Sequence, residues 1–183
     1  MVSLLLQLTI IVHNTQNPMT QLYLIRHGIA AERGEYTNDA ERPLIEKGRE
    51  KTTKVAQRLK EMGIQFEIIL TSPLVRAYQT AEILQKVGLT EKVERFNPLS
   101  PDGDLLDWVK WWSNSGYNKE NSCLALVGHQ PDLGNWAEML LWGRSEEKLI
   151  VKKAGIIGLS LPQQETPVGN SELFLLSSPK WLS

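Results

Sequence analysis

Three apolar runs in this 183-residue chain end in side chains suited to a tetrahedral anion. Leu22-Tyr23-Leu24-Ile25 leads into Arg26-His27-Gly28, and Phe66–Leu70 leads into Thr71-Ser72-Pro73 with Arg76 one turn further on. Cys123–Val127 leads into Gly128-His129. A guanidinium presents a planar fork of donors that matches phosphate bidentately and stays charged at any working pH. A neutral imidazole is a nucleophile toward phosphorus, able to take a phosphoryl group and release it to water. The second imidazole suits the part of a protonated partner that neutralises phosphoryl oxygens. Gly28 and Gly128 lack a Cβ, which would let an oxyanion approach the backbone closely. Taken singly, each residue has an ordinary use: a hydrogen-bonded strand-end histidine, a surface helix arginine at Arg76, a helix cap at Ser72. Complementary types at three strand ends point instead to one phosphate site, provided the strands are neighbours.

The rest of the chain must supply that neighbourhood. Ala31–Pro43 is polar, with Gly34 and Asn38, and reads as a loop. Glu46–Met62 reads as a helix, with Val55, Ala56, Leu59 and Met62 at helical spacing and Gly63 as its C-terminal cap. Ser72-Pro73 offers an N-cap and first-turn proline for a helix to about Val87. A weak strand at Val93–Phe96 and a helix at Asp104–Trp112 follow, then the strand Cys123–Val127 and a helix at Pro131–Trp142. Gly155–Leu161 and Glu172–Ser177 read as closing strands joined by a turn around Pro167-Val168-Gly169. Strands interleaved with helices predict a largely parallel sheet with helices on both faces, whose ligands gather at the carboxyl ends of strands.

Composition narrows the function classes. Hydrophobic residues make up 42% and charged residues 22%, an ordinary globular balance in one domain's length. A net charge of −1 leaves no electrostatic footprint for nucleic acid or an anionic membrane. One cysteine, Cys123, precludes an internal disulfide framework and fits a reducing, cytoplasmic setting. With three histidines in all, neither a metal site nor a cofactor is expected. The apolar run Val2–Val12 is shorter than the roughly 20 residues that span a bilayer and lacks the positive flank of a secretory signal. Residues 1–19 are therefore read as an N-terminal extension, non-native or disordered, with a natural start at Met19 and a single domain over 20–183. The alternative is an added strand or helix packed on the body.

LYLIRHGIA (Leu22–Ala30), TSPLVRAYQTAE (Thr71–Glu82) and LVGHQPDL (Leu126–Leu133) occur in an order that resembles the histidine phosphatase superfamily, the fold of phosphoglycerate mutases. The resemblance implies a three-layer α/β/α sandwich around a mostly parallel six-stranded sheet with one antiparallel strand. It also implies that His27 is phosphorylated in a covalent intermediate, with Arg26, Arg76, His129 and Gly28 around the phosphate. Arg42 in ERPL, Ser72 and Asp102 are further candidates. PLSPDGD (Pro98–Asp104) and the short chain are similar to the SixA-type phosphohistidine phosphatases. The expected substrate is a phosphohistidine-containing phosphotransfer or carrier protein, and the expected product is inorganic phosphate. A broad phosphatase of small phosphomonoesters is the rival reading, and a non-catalytic phospho-partner binder a further one.

One feature departs from the larger relatives, which hold an acid over the pocket. The Pro/Gly turn after the third strand offers only Asp102 and Asp104, where Asp side chains ordinarily fix the chain and cap the next helix. Glu32, Glu35 and Asp39 lie in the loop after the first strand, within reach of the site. Trp108, Trp111 and Trp112 read as sheet packing, Cys123 as an inert core thiol, and Lys148–Lys153 as a solvated strand entry.

Overall fold

The computed structural model describes residues 19–182. The expectation for residues 1–18 lies outside this range, and the first strand, β1 (Met19–Arg26), already includes Met19. The chain continues through α1 (Glu46–Glu61), β2 (Ile68–Thr71), α2 (Val75–Lys86), β3 (Val93–Arg95), α3 (Leu105–Asn114) and β4 (Cys123–Gly128). It closes with α4 (Asp132–Trp142), β5 (Ile156–Pro162), β6 (Glu172–Ser177) and the short α5 (Pro179–Leu182).

The six strands form one sheet in the order β3-β2-β4-β1-β5-β6. β3, β2, β4 and β1 pair in parallel, while β5 runs antiparallel to both β1 and β6. One strand is thus antiparallel to the other five. Side chains alternate across the sheet with the period of two that strands impose. Leu22, Leu24, Leu124 and Leu126 face the layer of α3 and α4, burying Trp108, Trp112 and Trp136. Tyr23, Ile25, Ala125 and Val127 face the layer of α1 and α2, burying Val55, Leu59 and Leu84. That is the three-layer sandwich. Trp108 and Trp112 stack with ring centroids 6.0 Å apart and are almost fully buried, so either change to Ala would cost about 3–5 kcal/mol. Among the described residues no helix is long and apolar enough to cross a membrane.

Local chemistry shifts two boundaries. α2 begins at Val75 rather than at Ser72, with Leu74 as an N-cap that makes no side-chain cap bond. β5 begins at Ile156, so Lys148–Lys153 enters it as a loop, its lysines exposed and Val151 buried. Its anchor is the fully buried Glu138 of α4, which accepts from the backbone N–H of Lys148 and Leu149 at 2.6 Å each, and from that of Glu146. Burial pushes the Glu138 carboxyl up, but these donors and the Ser145 hydroxyl outweigh it and hold the group below its ordinary range.

Candidate active site

β2, β4 and β1 are consecutive in the sheet and parallel, so their carboxyl ends meet at one edge. The register sets Arg26 opposite Gly128 and Thr71 opposite Val127. The ladder runs one residue further on each side, His27 donating to the Gly128 carbonyl at 3.1 Å and Ser72 to that of Val127 at 2.9 Å. Arg26, His27, Arg76 and His129 thereby line one pocket of about 760 Å³. Glu32, Arg33, Arg42, Asp102, Asp132 and Lys153 also line it.

The His27 ring is 5.2 Å from that of His129, centroid to centroid. His27 Nδ1 lies 2.7 Å from the Gly28 carbonyl oxygen. A carbonyl only accepts, so Nδ1 carries the proton and Nε2 keeps its lone pair. Burial, then the nearby His129, and the Arg76 and Arg26 charges, push the His27 pKa down to about 2, against the Gly28 bond that raises it. Burial first, then Arg76 and Arg26, push His129 down to about 4. Both rings are neutral at pH 7. Burial among guanidiniums favours the uncharged His129 ring, and a bound anion would favour the protonated one.

The arginines are held from outside the pocket. Arg26 donates from Nη1 to the Val151 carbonyl at 2.8 Å. Gln130 clamps that loop, its amide nitrogen 3.1 Å from the Leu149 carbonyl and its amide oxygen 3.0 Å from the Val151 N–H. Arg76 donates from Nη1 to the Asp39 carbonyl at 2.7 Å and from Nη2 to Asp39 Oδ2 at 3.0 Å. The Nε groups of both Arg26 and Arg76 are buried without a partner.

Ser72 serves the site more than the helix. Its hydroxyl lies 2.8 Å from His129 Nε2 and accepts from the Leu74 N–H at 3.3 Å. Gly28 is corrected too. Its N–H donates to Thr80 Oγ1 at 3.0 Å, and so is taken. A Cβ there would sit 2.5 Å from Thr52 Oγ1 and 3.1 Å from the Gly48 carbonyl oxygen, so the missing side chain makes room for α1, not for an anion. At Gly128 a Cβ would meet Leu133 at 3.2 Å, again a packing neighbour.

The carboxylates sort into three places. Asp104 caps α3, accepting from the Leu106 N–H at 2.8 Å, as the turn chemistry predicts. Asp102 lines the pocket from a left-handed conformation, φ 64°. Asp132, the first residue of α4 and not among the expected acids, also lines the pocket. Burial and then the neighbouring Asp102 charge push its carboxyl up, against a backbone bond from Asp102. Its signal in the sequence was its place three residues after His129. Among the described residues no three His, Cys, Asp or Glu side chains gather as a metal would require. Cys123 opens β4 partly buried, and burial followed by the Glu67 charge pushes its thiol up to about 12, which leaves it unreactive.

A sheet of this topology with two histidines and two arginines at its carboxyl edge defines a class, and comparison with known proteins agrees. A sequence model of the histidine phosphatase superfamily (branch 1) matches residues 22–97. The phosphohistidine phosphatase SixA of Escherichia coli is 30% identical over 115 residues, covering 62% of this chain and 70% of that protein. The chain belongs to the histidine phosphatase superfamily, and is an enzyme of the phosphatase or mutase type. Within the superfamily its fold is SixA-like: a structure of the protein histidine phosphatase SixA with tungstate superposes with a TM-score of 0.77 at 26% identity, covering 90% of this chain and all of that one. An uncharacterized protein of Picosynechococcus sp. is 49% identical over 166 residues, 88% of this chain and 98% of the relative.

Proposed function

We propose that this chain is a phosphohistidine phosphatase acting on a phosphohistidine-bearing phosphotransfer or carrier protein, without metal or organic cofactor. The observation that carries the reading is the state of His27: Nδ1 fixed by the Gly28 carbonyl, Nε2 free, in a pocket lined by His129 and two arginines. Nε2 attacks the substrate phosphorus in line. The bond from phosphorus to the substrate imidazole breaks, and that ring leaves neutral after taking a proton. Arg26, Arg76 and His129 hold the equatorial oxygens, where charge grows in the transition state. His129 gains a proton as the dianion replaces solvent, with Ser72 fixing its far nitrogen. Water then attacks phospho-His27, releasing inorganic phosphate and the free ring.

A protein-borne substrate is supported by the pocket's size and by the likeness to SixA. At about 760 Å³, with exposed side chains such as Arg33 lining it, the pocket has room for a phosphoimidazole together with part of the chain that presents it. Chemistry favours the same class. Free imidazole titrates near pKa 6.5, so solvent can protonate the departing ring. An alkoxide, with water near pKa 15.7 as guide, needs a positioned donor, worth roughly 10²–10⁴ in rate. The test is kcat/KM for a phosphohistidine protein over that for an alkyl phosphomonoester. The ratio is expected well above one; a ratio at or below one would refute the assignment.

One observation favours a second reading, a phosphatase of small phosphomonoesters: Asp132, whose carboxyl burial pushes up, lines the pocket as a candidate proton donor for an alkoxide. Asp132→Asn should then depress turnover of an alkyl phosphate at least a hundredfold more than that of an aryl phosphate, whose leaving group needs no proton.

A further inference from the structure

Asp39 does not line the pocket, yet three of the pocket's arginines reach it, Arg42 and Arg76 through hydrogen bonds and Arg33 through an ion pair of 4.0 Å. Its Oδ1 accepts from Arg42 Nε at 2.7 Å and its Oδ2 from Arg76 Nη2 at 3.0 Å. Its backbone carbonyl takes Arg76 Nη1 at 2.7 Å, and Arg42 Nη1 is spent on the Ala31 carbonyl at 2.6 Å. Asp39 sits in a single 3₁₀ turn, Asp39–Glu41, fixed by Asn38, whose side chain accepts from the Ala40 N–H at 3.0 Å and donates to Glu41 at 3.2 Å. Each carboxylate oxygen thus accepts a hydrogen bond from one guanidinium, and the carboxylate lies between the like charges of Arg42 and Arg76, which would otherwise repel.

From this arrangement we infer that Asp39 is a positioning residue for oxyanion binding: it grips one edge of Arg76 from behind, steadies Arg42 beside it, and so aims the remaining Arg76 donors at the phosphoryl group. A guanidinium has five N–H donors, and Asp39 engages two of Arg76's, leaving three, including the buried Nε–H. Fixing the fork before the anion arrives removes rotamer entropy that binding would otherwise have to overcome. The Arg42 and Arg76 contacts hold the Asp39 carboxyl below its usual range. The inference rests on the pocket being an oxyanion site, not on which phosphorylated substrate it takes.

Tungstate affinity, measured by calorimetry, tests it together with steady-state kinetics. Asp39→Asn should raise the tungstate Kd about tenfold or more, the effect of weakening hydrogen bonds to a charged group, and lower kcat/KM at least as far. Glu50→Ala, an exposed substitution within α1, should leave both unchanged. In an Arg76→Lys background, Asp39→Asn should add less than about twofold, because the coupled partner is already altered. Should Asp39→Asn lower the melting temperature, Asp39→Ser supplies the same comparison. Affinity within about twofold of wild type in a folded Asp39 variant, or an undiminished loss in the Arg76→Lys background, would overturn the positioning role. A wild-type protein that binds no tungstate would overturn the oxyanion reading of the pocket itself.

Discussion

Acidification should unfold this protein through its two site histidines. Both lie buried, 7% and 4% exposed, and are held neutral in the fold, His27 down to about 2 and His129 to about 4. In the unfolded chain each titrates near 6.5. Below that value the unfolded state therefore binds protons that the native state refuses, so stability is fully present above about pH 6.5 and falls as pH drops toward the native values. Between pH 6.5 and about pH 5 each imidazole removes roughly 1.6 kcal/mol, and the pair roughly 3 kcal/mol. For a chain of this length that is a fall of roughly 6–12 °C in melting temperature. The assay is urea denaturation at the two pH values, for the wild type and for the double variant His27→Asn/His129→Asn, which also subtracts His13 and the carboxylates. The wild type should lose roughly 3 kcal/mol more than the variant. Equal losses would refute the claim that the fold keeps these rings uncharged. Saturating tungstate should reduce the wild-type loss, since the bound dianion favours a protonated His129.

Other outcomes follow from the same geometry. Gly48 lies inside α1, where Ala ordinarily gains about 1 kcal/mol over Gly, but a Cβ there would meet the Ile29 carbonyl oxygen at 2.0 Å. Gly48→Ala should therefore destabilise, and more than Gly28→Ala, whose Cβ meets a threonine hydroxyl; melting curves check the order. Chelators should leave phosphatase activity unchanged, and activity lost in EDTA and restored by one divalent metal would contradict the proposed chemistry.

The scaffold was legible because its strands speak locally. Cys123–Val127 is an unbroken apolar run, and Leu22–Ile25 alternates between the two cores, so each strand and the polar residues at its end could be found without tertiary information. What stayed hidden depends on contacts between distant residues. Asp39 and Arg76 are 37 positions apart, and Arg26 meets the Val151 carbonyl across 125. The Asp39…Arg42 spacing of three was the one local trace of the first of these. Ser72 reads as a cap from its proline neighbour, but the His129 ring competes for its hydroxyl, and the helix starts at Val75. Gly28 reads as room for an anion because nothing local says that α1 packs against it. Asp132 stayed hidden because it follows β4, far along the chain from the Asp102 turn, and only the fold returns it to the pocket.

The central claim is that His27 carries the phosphoryl group. Brief incubation with a phosphohistidine protein labelled with radioactive phosphate, followed by an alkaline quench and peptide mapping, tests it most directly, since phosphohistidine survives base. The account predicts label on His27 approaching one phosphate per enzyme, lost on a chase with unlabelled substrate, and no label or turnover in His27→Ala. Turnover by His27→Ala near the wild-type rate, or turnover by the wild type with label on no residue or on another, would contradict it.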